Sequence, residues 1–128
     1  MITSKNYVKE AMVTESCDLN IIKQRLQDDE TIRLLHAAMG LGTEVGELLD
    51  MIKKHIFYGA AIDIPNAKEE VGDIEWYAAI AIDVLKTTMD EVLTANISKL
   101  RTRYPEKFNE FDALNRDLKK ERAIIEEN

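Results

Sequence analysis

An all-α protein is the fold class this chain predicts, and three observations predict it. Only two prolines and five glycines interrupt 128 residues, strand-like alternation of β-branched residues is missing, and apolar residues recur three and four apart along most of the chain. That recurrence is the period of a helix with one buried side. At 45% hydrophobic content the chain can bury one core, and its length leaves no room for a second domain.

The elements follow in order. A first helix is expected over residues 5–13 and a second over 18–26, with Asp18 as N-cap and Ile22 and Leu26 on one side, so residues 1–28 read as an N-terminal helical arm. The central helix is expected to begin at 29–31 and run to about 56, because Leu34, Leu35, Ala38, Leu41, Val45, Leu48, Leu49 and Ile52 keep helical spacing. Tyr58 and Gly59 end it. After a turn at 60–63, Pro65 or Asn66 opens another helix whose apolar side carries Ala67, Val71, Ile74, Ala78, Ala81 and Leu85, stopping near 86–88. Residues 90–103 form a third core helix with Val92, Leu93, Ile97 and Leu100 inward, closed at Tyr104-Pro105 because a residue before proline disfavours the helical region. Residues 29–105 are thus the expected helical core. Within the segment 106–128, a single charged helix is expected over 112–127; it has little to bury by itself and reads as a partner-binding element or a solvated extension.

Charge narrows the function classes. A formal charge of −7 and a pI near 4.9 repel nucleic-acid backbones, so duplex nucleic acid is not an expected partner. A phosphorylated ligand would need that field reversed locally, by divalent cations or by a cluster of Lys and Arg. Cys17 stands alone, which excludes an internal disulfide framework and a thiolate zinc site and fits a cytoplasmic location. Residues 1–10 lack the apolar stretch of a signal peptide, and no apolar run approaches the roughly 20 residues of a membrane span, so a soluble protein without membrane association is expected.

Two acidic pairs are the candidates for chemistry. Glu44 and Glu47 stand three apart on the central helix, and Glu70 and Asp73 three apart on the next, so each pair projects from one helical side and the pairs can face each other around a hard cation such as Mg²⁺. On a helical wheel Glu70 falls among Ala67, Ile74 and Ala81, where a carboxylate is costly without a counter-charge. With 24 acidic residues in the chain, such pairs also serve merely to solvate a helix, and spacing leaves both roles open. Gly42 and Gly46 inside a helix point to close packing or ligand approach. Lys53 and Lys54 end the central helix; Lys99, Arg101 and Arg103 end the third. Asn96, Lys99 and Arg103, spaced i, i+3, i+7, align along one stripe able to grip phosphate oxygens or simply to face water. His36 and His55 do not match the Glu-x-x-His ligands of di-iron bundles, and neither a Ser-His-Asp arrangement nor a Walker-type loop is present. Trp76 and Tyr77 are core residues or a stacking surface for a base.

Taken together, Glu44-Val-Gly-Glu47-Leu-Leu, then Glu70-Val-Gly-Asp73 after a spacer of 22 residues, then Asn96-Ile-Ser-Lys99-Leu-Arg-Thr-Arg103-Tyr104-Pro105 resemble the MazG-like nucleotide pyrophosphohydrolases over residues 33–108. The segment 53–59, Lys-Lys-His-Ile-Phe-Tyr-Gly, is similar to their stand-alone, single-domain branch. The resemblance implies a helical bundle of the all-α NTP pyrophosphatase type, completed by dimerisation, as a homodimer or a dimer of dimers. It implies Mg²⁺, with Mn²⁺ able to substitute, held by Glu44, Glu47, Glu70 and Asp73, and hydrolysis of a (d)NTP to the (d)NMP and pyrophosphate by metal-activated water. Lys54, Asn96, Lys99 and Arg103 would then contact phosphate or sugar oxygens, and His36 and Tyr77 would approach the nucleoside. One departure is Thr43, which stands where many relatives carry a Glu. The metal residues do not choose the base, so dUTP, phosphoribosyl-ATP or a guanosine alarmone are alternative substrates, and a non-catalytic helical interaction protein is the alternative outside the enzymes.

Overall fold

The computed structural model describes residues 3–127, and among them it contains seven α-helices and no strand. The expectations touching residues 1, 2 and 128 lie outside the described residues. The helices are α1 (Tyr7–Met12), α2 (Leu19–Arg25), α3 (Asp29–Tyr58), α4 (Ile64–Val84), α5 (Met89–Arg103), α6 (Glu110–Leu114) and α7 (Leu118–Glu127). The described residues divide into two compact units between Ile32 and Arg33, and residues 106–127 belong to the same unit as α4 and α5.

Short polar side chains start most of these helices. Asp18 accepts from Ile21 N at α2, as its sequence position suggests, and Asp28 takes both the N–H and the hydroxyl of Thr31 at 2.7 Å at the start of α3. Asp63 caps α4, with Pro65 in the first turn where its missing N–H costs nothing. Thr88 and Glu91 form a reciprocal capping box on α5. At its C-terminal end α3 stops at Gly59, whose φ of 71° lies in the left-handed region that glycine enters most cheaply. His55 Nδ1 lies 2.8 Å from Ala60 O and ties down the chain just after this turn.

In the second unit α3 and α4 run antiparallel: Arg33 pairs with Asp83 at one end, and Glu47 approaches Glu70 at the other. At Gly40 the Tyr77 ring of α4 lies against the α3 backbone, and an added Cβ would fall 2.1 Å from its Cε1. This is the helical glycine for which the structure supplies a packing reason; at Gly42 and Gly46 a Cβ would meet open space, and both border a cleft described below.

Two expectations are corrected. The charged C-terminal helix is not one helix over 112–127 but two, because Asn115 turns its side chain onto Phe111 O at 2.8 Å and Asp117 caps Lys120 N, each competing with a continuous helix. Nor is α7 without anything to bury: it packs along α5, and its Glu121 is 4% exposed. The second correction concerns the apolar sides. Ala37 and Val84 are buried, whereas Leu49, Val71 and Leu93, all expected inward, are 49% to 60% exposed in the single chain.

Candidate active site

Glu44 and Glu47 lie one turn apart on α3, and Glu70 lies about two turns beyond the Asp63 cap of α4. The antiparallel packing brings all three together: one carboxylate oxygen from each lies within 4.8 Å of the others. Glu70 is buried, Glu44 half-buried and Glu47 exposed, so the cluster opens to solvent on the α3 side. Asp73, the fourth acid predicted, is exposed on the next turn of α4 and outside this trio.

Burial pushes the Glu70 carboxyl above its ordinary 4.5, and the nearby Glu47 pushes it the same way; the Asn66 amide opposes both by donating to Glu70 Oε1 at 3.0 Å. Three carboxylates drawn together, one of them out of water, are an unfavourable arrangement until a cation offsets their charge. Oxygen-only donors suit a hard divalent ion such as Mg²⁺, so the residues present fit the metal that the sequence implies.

Two of the trio, Glu47 and Glu70, line a cleft of about 600 Å³ to which Lys54, Asp50, Thr43 and Asn66 also contribute. Lys54 was expected to meet phosphate, and it lies in this cleft, its ammonium 2.7 Å from Asp50. Asp50 also pairs with Lys53, and the two lysines, Lys53 first, hold its carboxyl down at about 2. Thr43 Oγ1 lies 2.8 Å from Gly40 O and 3.2 Å from Glu44 Oε1, so at the position of the missing acid stands a hydroxyl that bonds locally. Asp50 and Asn66 escaped the sequence reading, although both left a signal. Asp50 continues the three-residue spacing of Glu44 and Glu47, and Asn66 precedes Glu70 by one turn.

The remaining predicted residues fall into two other places. His36 and Tyr77 meet edge to face, ring centroids 5.6 Å apart, and Trp76 packs against Tyr77 at 4.8 Å. Asn96 and Lys99 line a separate cleft of about 520 Å³ on α5, walled by Ile125 of α7. Arg103 does not join them as a free guanidinium. It makes a two-point pair with Glu121, at 2.8 Å and 2.6 Å, and is half-buried. Arg116 binds the same carboxylate at 2.7 Å, and the two guanidiniums, Arg103 first, hold Glu121 at about 2. In the single chain Arg103 thus ties α5 to α7; this partner lies 18 residues away and left no mark in the local pattern.

No helix among the described residues is long and apolar enough to cross a membrane. Comparison with curated proteins and with solved structures returns no match. The family model of the MazG nucleotide pyrophosphohydrolase domain matches residues 34–108, the stretch that holds both acidic motifs, the aromatic pair and the basic end of α5. With that match over more than half of its length, the chain belongs to the MazG nucleotide pyrophosphohydrolase family.

Proposed function

We propose that this chain is a Mg²⁺-dependent pyrophosphohydrolase of nucleoside triphosphates, releasing the monophosphate and pyrophosphate. The observation that carries this reading is the meeting of Glu44, Glu47 and Glu70 from two helices within 4.8 Å, beside a cleft that Glu47 and Glu70 line together with Lys54. When bound, the metal offsets triphosphate charge and makes water a better nucleophile. Glu44, Glu47 and Glu70 would hold the ion, with Asp73, on the neighbouring turn of α4, as a fourth ligand. Lys54 exchanges its local partner Asp50 for a phosphate oxygen, a cheap exchange because that pair is solvated. His36 and Tyr77, further along the same pair of helices, approach the nucleoside.

Asn96 and Lys99 line a different cleft from the acidic trio, so within one chain they do not complete the site. The exposed apolar sides of α3, α4 and α5 support a dimer, or a dimer of dimers, in which this second cleft serves the partner's acidic residues. A cytoplasmic location agrees with the single cysteine.

The test is pyrophosphate release from the common ribo- and deoxyribonucleoside triphosphates, with Mg²⁺, with Mn²⁺ and with EDTA, the nucleotide product being identified chromatographically. Monophosphate plus pyrophosphate, formed with metal and abolished by EDTA, is the expected result. No turnover of any triphosphate overturns the substrate assignment and directs the search to alarmones and other phosphoanhydrides.

A further inference from the structure

Asn66 stands in the first turn of α4 and makes two bonds of different kinds. Its backbone N–H donates to Asp63 Oδ1 at 3.2 Å, which fixes the residue in the helix cap. Its side-chain Nδ2 donates to Glu70 Oε1 at 3.0 Å, one turn further on. Capping needs only the first bond. The second reaches a carboxylate that is 5% exposed, and among the described residues Asn66 is the group that hydrogen-bonds it. All three residues, Asp63, Asn66 and Glu70, line the cleft that Glu47 shares.

We propose that Asn66 is a positioning residue for the divalent cation, its amide turning the Glu70 carboxylate so that the remaining lone pairs meet an ion shared with Glu44 and Glu47. A carboxylate on two rotatable methylenes loses rotamer freedom when it binds an ion, and a neighbour that has already fixed it lowers that cost. The cap supplies the rigidity: Asp63 holds the Asn66 backbone, and Asn66 holds Glu70. The proposal rests on the reading of the three glutamates as metal ligands, and the experiment separates the two.

Mn²⁺ binding to the full chain, without nucleotide, is titrated by the electron paramagnetic resonance of the free ion. The variants are Asn66→Ala, Asn66→Ser, Asn66→Gln and Glu70→Gln, each checked for folding by circular dichroism in EDTA. Serine suits a first helical turn but is too short to reach Glu70, so it stands in if the alanine variant does not fold. Expected are abolished binding in Glu70→Gln, affinity about tenfold weaker in Asn66→Ala and Asn66→Ser, and recovery to within about threefold in Asn66→Gln, whose amide still reaches the carboxylate. Wild-type affinity in the alanine and serine variants, or equal weakening in the glutamine variant, overturns the role of Asn66 while leaving the metal site standing. A wild-type chain that binds no Mn²⁺, or a Glu70→Gln variant that binds it unchanged, overturns the metal reading and the positioning role with it.

Discussion

Glu70 is a buried acid with like charges beside it, and its behaviour follows from that position. Its folded pKa lies above the ordinary 4.5, raised by burial first and by Glu47 second. A raised value contributes stability that is complete below 4.5 and is lost as the pH rises through the folded value. Thermal melts of the metal-free protein should therefore show a declining stability as the pH is raised above 4.5, and saturating Mg²⁺ should remove that decline. Glu70→Gln and Asp73→Asn should each abolish hydrolysis without lowering the melting temperature in EDTA; wild-type turnover in either would withdraw that residue from the metal set. Gly40 behaves differently, through packing alone. Its substitution by Ala drives a Cβ to 2.1 Å from the Tyr77 ring and should cost about 2 kcal/mol in urea titrations, since overpacking of this kind typically costs 1–3. A smaller side chain at 77 should recover part of that loss. The inward placement of Glu70 was legible from helical spacing, whereas the contact of Tyr77 with Gly40 was not, because one helix does not reveal which side chain its neighbour lays against it.

At the scale of elements, starts and stops marked by a cap or a proline were legible, because each acts between residues only a few positions apart. Asp18 at α2 and the Tyr104-Pro105 stop after α5 follow from such rules. Thr88→Ala removes one half of the α5 capping box and should cost about 1 kcal/mol in urea titrations, with Glu91 left to bond the Thr88 position's N–H alone. The C-terminal segment was less legible, since Asn115 and Asp117 each had to be weighed against an otherwise helical pattern. Its docking onto α5 depends on Glu121, whose folded pKa of about 2 lies below the ordinary 4.5. A lowered value contributes stability present above 4.5 and lost as the pH falls through about 2. Hydrogen exchange of the α7 amides should accelerate over that acid range. Glu121→Gln should reproduce the effect at neutral pH, by leaving Arg103 and Arg116 without their counter-charge; slow exchange in that variant would mean that apolar packing alone docks α7.

For the whole molecule, the unsolved balance is apolar surface. Ala37 and Val84 are buried, while Leu49, Leu93 and Phe57 are more than half exposed in one chain. Exposed apolar faces of this kind favour burial against another copy of the chain, and on that reading sedimentation should give the mass of a dimer or a multiple of it. Leu49→Glu should shift the distribution to lower mass and reduce turnover together; a monomer with full turnover would show that one chain completes the site. The family, the all-α class and the two acidic motifs are present in residue order alone, because helix period, cap residues and short motif spacing all act within a few turns. Which residues meet was decided only by packing. The antiparallel pairing of α3 with α4 gathers Glu44, Glu47 and Glu70, draws Asn66 and Lys54 into their cleft, and leaves Asp73 on the turn beyond. The folding of α7 onto α5 pairs Arg103 with Glu121, a partner that no local pattern could name.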